Sequence, residues 1–239
     1  MQYYIPTLIT FDRYYATFDP VDMKLKPEEY RCPVCGRVIV KNIWTEPYRV
    51  RLSNSKFGDL VFDGDFLASQ KFKDAFEAEG LTGITFEPLD RVTVRNNRKH
   101  LVPPVYYYAK VRRIPATYDP EKTNHTTRGG GNENIYCPEC FPLKNYSAMV
   151  DNMDGFDLRF KDPENVPDVF NAYIFWNTPF FSQRVVDLAK KYNLKNVLNK
   201  LIPTQNYKHF AFGDRKEIEN SYKYTMELIA EKEKRGEEY

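Results

Sequence analysis

Four cysteines carry the clearest chemical signal in this chain. They form two Cys-x-x-Cys pairs, Cys32 with Cys35 and Cys137 with Cys140. A tight turn over two intervening residues brings both thiolates of a pair toward one tetrahedral centre, and four thiolates complete a structural zinc site. Because a full thiolate tetrad leaves no open position for water, we expect the zinc to hold the fold rather than to hydrolyse a substrate.

The spacing of the two pairs leaves other uses of the thiols open. The gap between Cys35 and Cys137 far exceeds the roughly 15 to 20 residues of a compact zinc ribbon. Thioredoxin-like redox chemistry is one alternative, and it needs a Cys-x-x-Cys pair at a helix amino terminus. Neither pair precedes a helical pattern, and Gly36 is followed by the strand-like run 38–40. Iron–sulfur ligation and thiols that share no site are the remaining alternatives.

Composition predicts a folded protein rich in β-structure. The chain has 239 residues with a formal net charge of +2, 42% hydrophobic residues and 15% aromatic residues. This balance excludes a disordered tail protein, and it lacks the basic excess typical of nucleic-acid binders. Tyr and Phe, which favour strands, number 18 and 17.

The cellular setting is predicted from what the sequence lacks. No run of about 18 apolar residues occurs that could form a transmembrane helix. The first six residues carry neither a cationic start nor the apolar core of a signal peptide. We therefore expect a cytoplasmic protein, in which sparse cysteines are better suited to metal or redox chemistry than to disulfides.

Hydrophobic periodicity predicts the elements that must position these motifs. Amphipathic helices are expected over 66–79, 182–192 and 214–235, and strands over 48–52, 83–94, 105–114 and 156–160. Segment 117–134 has almost no apolar content and is predicted to be an exposed loop.

An internal repeat organises these elements. The segment Ser69–Asp74 matches Ser182–Asp187, the expected helix ends Gly80 and Asn193 correspond, and the cysteine pairs recur 105 residues apart. The fold class predicted is α+β, with two similar halves that each contain a zinc knuckle, strands and one amphipathic helix, followed by a C-terminal helix. The predicted boundaries are 1–115 for the N-terminal half, 116–135 for a flexible loop and 136–239 for the C-terminal half.

No constellation of catalytic residues is found in the sequence, and we expect a protein that is not an enzyme. The three histidines, at 100, 125 and 209, do not stand at metal-ligand spacing. The best basic feature is a group on two neighbouring predicted strands: Arg91, Arg95, Arg98, Lys99, His100, Lys110, Arg112 and Arg113. It supports an alternative function, a zinc-ribbon-like nucleic-acid-binding protein, against the simpler interpretation of a solvated hairpin face.

Several phrases accompany the cysteine motifs: Cys32-Pro33-Val34-Cys35-Gly36, Cys137-Pro138-Glu139-Cys140, Phe57-Gly58-Asp59, Leu81-Thr82-Gly83-Ile84 and Phe181-Ser182-Gln183-Arg184-Val185-Val186-Asp187. In this combination residues 30–203 resemble the bacterial double-CXXCG motif proteins, which are similar to immunity proteins of contact-dependent or polymorphic toxin systems. Phe141 stands where that family's second motif usually has Gly, a departure that alters the second knuckle but removes no ligand.

The resemblance implies a non-enzymatic protein that binds and neutralises a cognate toxin encoded nearby. It implies that Cys32, Cys35, Cys137 and Cys140 are the ligands of a structural Zn²⁺. It implies no catalytic residue and assigns no residue to the toxin contact. The abundance of Tyr, together with the Trp and Arg residues present, suits a protein-binding surface.

Overall fold

The computed structural model describes residues 2–6, 15–31, 36, 38–63, 65–95, 100–118, 124–127, 150–154, 158–160, 162–172, 179–198, 201–204 and 208–210. These residues form a mixed α+β fold built mostly of strands, with two helices. The α+β class predicted from the sequence is confirmed at this level.

The described residues before residue 100 form nine strands and one helix. They are β1 (Tyr3–Pro6), β2 (Phe18–Pro20), β3 (Lys24–Arg31), β4 (Val38–Thr45), β5 (Arg49–Leu52), β6 (Leu60–Asp63), β7 (Asp65–Ser69), α1 (Gln70–Ala78), β8 (Ile84–Pro88) and β9 (Arg91–Val94).

From residue 100 onward, the residues that the structure describes form ten strands, a helix and a 3-10 turn at Pro163–Asn165. They are β10 (Tyr106–Val111), β11 (Arg113–Ile114), β12 (Ala116–Tyr118), β13 (Asn124–Thr127), β14 (Val150–Asp154), β15 (Leu158–Phe160), β16 (Val169–Ala172), β17 (Pro179–Ser182), α2 (Gln183–Lys191), β18 (Leu201–Pro203) and β19 (Lys208–Phe210).

Two sheets, whose strands follow one another in a corresponding order, form the centre of the molecule. One sheet has the order β6-β7-β10-β8, and the other has the order β11-β16-β17-β1-β18. In each sheet, a hairpin (β6-β7 or β16-β17) leads directly into a helix. A strand that begins with two consecutive tyrosines, here called a Tyr-Tyr strand, pairs with the second strand of that hairpin. Each Tyr-Tyr strand comes from the other part of the chain, since β10 lies in the sheet of α1 and β1 lies in the sheet of α2.

Each described helix follows a serine and is followed by a left-handed residue. The predicted start of the second helix at residue 182 is confirmed within one residue, whereas the helix predicted over 66–79 begins only at Gln70, because residues 65–69 form strand β7. Ser69 caps α1 by accepting a hydrogen bond from the Phe72 amide at 3.1 Å. The helix ends are followed by Gly80 with φ +59° and Asn193 with φ +47°. The apolar side of each helix is buried in one hydrophobic core that also contains Phe181. The predicted C-terminal helix over 214–235 lies outside the described residues.

Three strand predictions differ from the structure. The predicted strand 83–94 is two strands, β8 and β9, which belong to different sheets. Strands β12 and β13 fall within the segment predicted to be a loop. Strand β3 was not predicted, because its residues are mostly exposed and so lack the apolar alternation by which a half-buried strand is recognised.

Candidate metal centre

Strands β3 and β4, which flank the first cysteine pair in the sequence, form a two-stranded ribbon. They pair along their whole length, from Lys24 opposite Thr45 to Arg31 opposite Val38. Between the two strands, Gly36 has φ +70°, a conformation that glycine adopts most readily. The Arg31 guanidinium donates to the Gly36 carbonyl oxygen at 3.1 Å. Cys32 and Cys35 themselves lie outside the described residues.

The second cysteine pair also falls between two antiparallel strands. Strands β13 and β14 pair from Asn124 opposite Asp154 to Thr127 opposite Val150, and β14 pairs on its other side with β19. Cys137 and Cys140 belong to the connection between β13 and β14, which lies outside the described residues. Both cysteine pairs therefore occur in the connection of a hairpin.

The structural zinc site at the four cysteines stays a prediction, because all four lie outside the described residues. The left-handed Gly36, directly after the second cysteine, is compatible with the Cys-x-x-Cys-Gly motif that the sequence predicts as a knuckle. The first pair leads into β4 and not into a helix, whereas the redox alternative needs a helix amino terminus. Within the described ranges, no group of three or more His, Cys, Asp or Glu residues could hold a metal ion.

Two buried aspartates, which sequence reasoning missed, connect the two central sheets. Asp59 accepts hydrogen bonds from the Ser69 hydroxyl at 2.6 Å and from the Lys195 amide at 2.7 Å. The exposed fraction of Asp59 is 8%, so removing either donor leaves a buried carboxylate oxygen without its partner. Because Ser69 precedes α1 and Lys195 follows α2, this carboxylate ties the beginning of one helix to the end of the other.

Asp168 makes corresponding contacts, but it ties the beginning of α2 to the end of α1. It accepts from the Ser182 hydroxyl at 2.9 Å and from the Thr82 amide at 3.0 Å, and the Arg184 guanidinium donates to it at 3.0 Å. Ser182 precedes α2, and Thr82 follows α1. The repeated Ser-Gln at the start of both helices is a sequence signal for the two serines that these aspartates bind. The aspartates themselves stand at different distances before the two serines, so no repeated pattern marks them.

A basic side chain of each helix also binds a backbone carbonyl group just beyond the carboxyl end of the other helix. The Lys71 ammonium of α1 donates to the Asn193 carbonyl oxygen at 2.8 Å. The Arg184 guanidinium of α2 donates to the Glu79 carbonyl oxygen at 2.9 Å. Lysine and arginine thus satisfy carbonyl groups at each other's helix carboxyl end, where a positive charge is also favoured by the helix dipole.

The described basic residues do not form one free cationic face. Strands β9 and β10, expected as neighbours in a hairpin, lie in different sheets. Lys110 pairs with Glu87 at 3.0 Å, and Arg95 lies 3.5 Å from Asp19. Arg98 and Lys99 lie outside the described residues. The charge available for a nucleic-acid phosphate at this place is therefore reduced by neighbouring carboxylates.

The histidines occupy two different settings. His100 is an exposed residue with φ +50°. His125 and His209 are both register partners of Met153, one on each side of β14. Strands are about 4.8 Å apart, so the two backbones stand about 10 Å from each other. Their placement in one row across a sheet could not be inferred from spacing in the sequence.

Comparison with known proteins adds no family assignment. The sequence matches no protein-family model, and no curated protein sequence is significantly similar to it. In the described part of the chain, neither helix is long and apolar enough to cross a membrane.

Proposed function

We propose that this protein is a non-enzymatic, toxin-neutralising protein built from two related halves that are joined by one structural zinc. The observation that carries the proposal is the position of both Cys-x-x-Cys pairs, each in the connection of an antiparallel hairpin at a corresponding place in the chain. The toxin-neutralising function is inferred from the resemblance of the sequence to the double-CXXCG immunity proteins.

The order of strand pairing supports two related halves. In the first half β2 pairs with β5, β3 with β4, and β6 with β7 before the helix. In the second half β12 pairs with β15, β13 with β14, and β16 with β17 before the helix. This nested order, with the cysteine pair in the innermost connection each time, is unusual enough to favour duplication of one unit. On this proposal the second half begins at β10, earlier than the boundary at residue 136 that the sequence suggests.

Exchange of the first strands supports a single interlocked unit. β1 begins with Tyr3 opposite Ser182, and β10 begins with Tyr106 opposite Ser69. The next tyrosines, Tyr4 and Tyr107, donate to the Gln183 and Gln70 side chains, each at 2.5 Å. Each half thus completes the sheet of the other, an arrangement related to domain swapping between identical subunits.

Zinc would be held by Cys32, Cys35, Cys137 and Cys140 as thiolates. A two-stranded ribbon such as β3-β4 is marginally stable by itself in water, so a metal at its end would add the stability that its own core lacks. Bound zinc supplies four strong ligand bonds and no open coordination position. The proposed effect of the metal is to order the two hairpins.

The binding function is tested by co-expression with the product of the adjacent gene. We expect that product to arrest growth when expressed alone, growth to be restored by this protein, and the two proteins to copurify. A product that is harmless alone and does not bind this protein contradicts the toxin-neutralising function. The zinc site is tested independently by metal analysis of the purified protein.

A further inference from the structure

One side of the three-stranded sheet β2-β5-β9 presents a group of arginines. On β5, Val50 and Leu52 are buried in a hydrophobic cluster, whereas Arg49 and Arg51 alternate with them and are exposed. Parallel pairing places Arg91 of β9 beside Arg49, and Arg91 is exposed as well. Side chains at paired positions of neighbouring strands share one side of a sheet, so these three arginines lie together. We call this outward side the arginine face.

The arginine face has more positive charge than its own carboxylate neutralises. Asp19 of β2 stands opposite Arg51, and the guanidinium of a fourth arginine, Arg95, lies 3.5 Å from the Asp19 carboxylate. Among the described residues, the four arginines of this face make no other ion pair. Four arginines and one aspartate give a local charge of +3, whereas the whole chain has a formal net charge of +2. The positive excess of the chain is thus no larger than that of this face.

The arrangement of the arginine face costs stability in the protein by itself. Arg49 and Arg91 occupy paired positions on strands that stand about 4.8 Å apart, and Arg51 follows two residues later on the same side. Like charges at opposite positions of neighbouring strands destabilise a sheet. The buried side of the sheet would pack equally well beneath uncharged outward residues, so folding does not explain the arginines. An anionic partner does, because its charge removes the repulsion.

We infer that the arginine face binds a cluster of carboxylate side chains on the protein partner. This inference rests on the proposed function, for which it names the contact surface and its chemistry. A guanidinium group can donate two parallel hydrogen bonds to one carboxylate, and arginine is enriched among the residues that dominate protein interfaces. A second copy of this chain fits poorly, because two arginine faces repel each other.

A nucleic acid fits the arginine face less well than a protein does. Asp19 lies among the arginines, where it repels a phosphate but can pair with a basic side chain of a protein. The outward positions of β2, β5 and β9 carry no aromatic side chain on which a base could stack. The nearly neutral charge of the whole chain also gives little long-range attraction for a polyanion.

The test compares the loss of two charges from the arginine face with the same loss elsewhere. The first variant is Arg49→Gln/Arg91→Gln. The control is Lys190→Gln/Lys195→Gln, which changes two exposed lysines in and after α2, a helix that packs in a different hydrophobic cluster. We expect thermal unfolding of the arginine variant to be unchanged or shifted upward, because repulsion is relieved. A marked downward shift overturns the proposal, since it shows that carboxylates of this chain already cover the face.

Binding to the purified product of the adjacent gene is measured by calorimetry. We expect the arginine variant to bind at least about 10-fold more weakly, from the loss of two charge-assisted contacts, and the lysine variant to bind as the unmodified protein does. Equal binding by all three proteins overturns the contact surface and leaves the proposed function standing. Equal weakening by both variants also overturns it, because charge then acts irrespective of place. No binding by the unmodified protein overturns the proposed function and the contact surface with it.

The choice of partner is tested with duplex DNA and single-stranded RNA in a gel at low salt, where attraction to phosphate is strongest. We expect no shift of either nucleic acid. A shift by the unmodified protein that the Arg49→Gln/Arg91→Gln variant loses overturns the protein partner in favour of a nucleic acid.

Discussion

The carboxylate of Asp59 accepts a hydrogen bond from the backbone amide of Lys195 at 2.7 Å, across 136 positions of the chain. Asp168 does the same for the Thr82 amide at 3.0 Å, across 86 positions. Each aspartate also holds the serine that begins a helix. A buried charged acceptor with two donors is costly to lose, so these two contacts are expected to hold the sheets together.

Replacing Asp59 with asparagine tests this. Asparagine offers one acceptor oxygen instead of two, and its NH₂ group must face either the Ser69 hydroxyl or the Lys195 amide. We expect Asp59→Asn to lower the free energy of unfolding by about 1 to 3 kcal/mol, measured by denaturant titration. Asp74→Asn is the control, because Asp74 is exposed on α1 and should change stability by less than about 0.5 kcal/mol. Equal effects would show that Asp59 does not connect the sheets.

Gly83 is expected to be intolerant of any side chain. Its φ is +106°, and a Cβ there would lie 1.8 Å from the Val169 carbonyl oxygen. Both the conformation and the space are therefore unsuitable for alanine. We expect Gly83→Ala to lower the free energy of unfolding by more than about 3 kcal/mol or to prevent folding.

Gly80→Ala separates the effect of a left-handed backbone conformation from the effect of a steric clash. Gly80 is also left-handed, at φ +59°, but a Cβ there meets nothing within 4 Å. We expect Gly80→Ala to lower the free energy of unfolding by about 1 kcal/mol, the contribution of backbone conformation alone. Similar losses for the two variants in thermal unfolding would contradict the close approach of Gly83 to Val169.

Buried tyrosines should make the protein sensitive to alkali. Burial, with a smaller contribution from the Asp168 charge, raises the pKa of Tyr3 from 10.0 to about 12. Burial also raises the pKa of Tyr106 and of Tyr108, beside Asp59 and Asp65 respectively. A raised pKa in the folded state means that stability is complete below pH 10 and is lost as the pH rises from about 10 toward the folded pKa.

The measurement is the free energy of unfolding between pH 9 and 12, with tyrosinate absorbance followed in parallel. Each of the three tyrosines contributes a slope of up to about 1.4 kcal/mol per pH unit. Tyr106→Phe should flatten this slope relative to the unmodified protein. A free energy that is constant through pH 11, or tyrosines that ionise near pH 10 without unfolding, would contradict the burial of these hydroxyls.

Local patterns in the sequence were sufficient for the ends of the two described helices, for the start of α2 and for one strand, but they placed the start of α1 at residue 66, inside β7. Val50 and Leu52 are buried while Arg49 and Arg51 are exposed, as alternation predicts, and Ser69 and Ser182 begin the two helices. Such features depend on neighbours within a few residues, so the printed sequence contains the information for them.

The pairing of β1 with β17 and of β10 with β7 could not be predicted in this way. Tyr3-Tyr4 and Tyr106-Tyr107 indicate strands, but nothing local states which sheet a strand joins. The partners of Asp59 and Asp168 are likewise set by the tertiary fold. At the candidate metal centre, spacing predicted the four cysteines as ligands, whereas the pairing of β3 with β4 on either side of the first pair is set by a register that spacing alone does not give.

Zinc content is the most direct measure of the central claim, that one metal joins the two halves. Purified protein is analysed by inductively coupled plasma mass spectrometry, together with a Cys32→Ser/Cys35→Ser variant and a Cys137→Ser/Cys140→Ser variant. We expect about one zinc per chain in the unmodified protein and a loss of most of it in both variants, because two thiolates alone bind weakly. Chelator should lower the unfolding temperature of the unmodified protein and leave both variants unchanged. Two zinc ions per chain, or a variant that keeps its zinc after losing one cysteine pair, would contradict a single shared site.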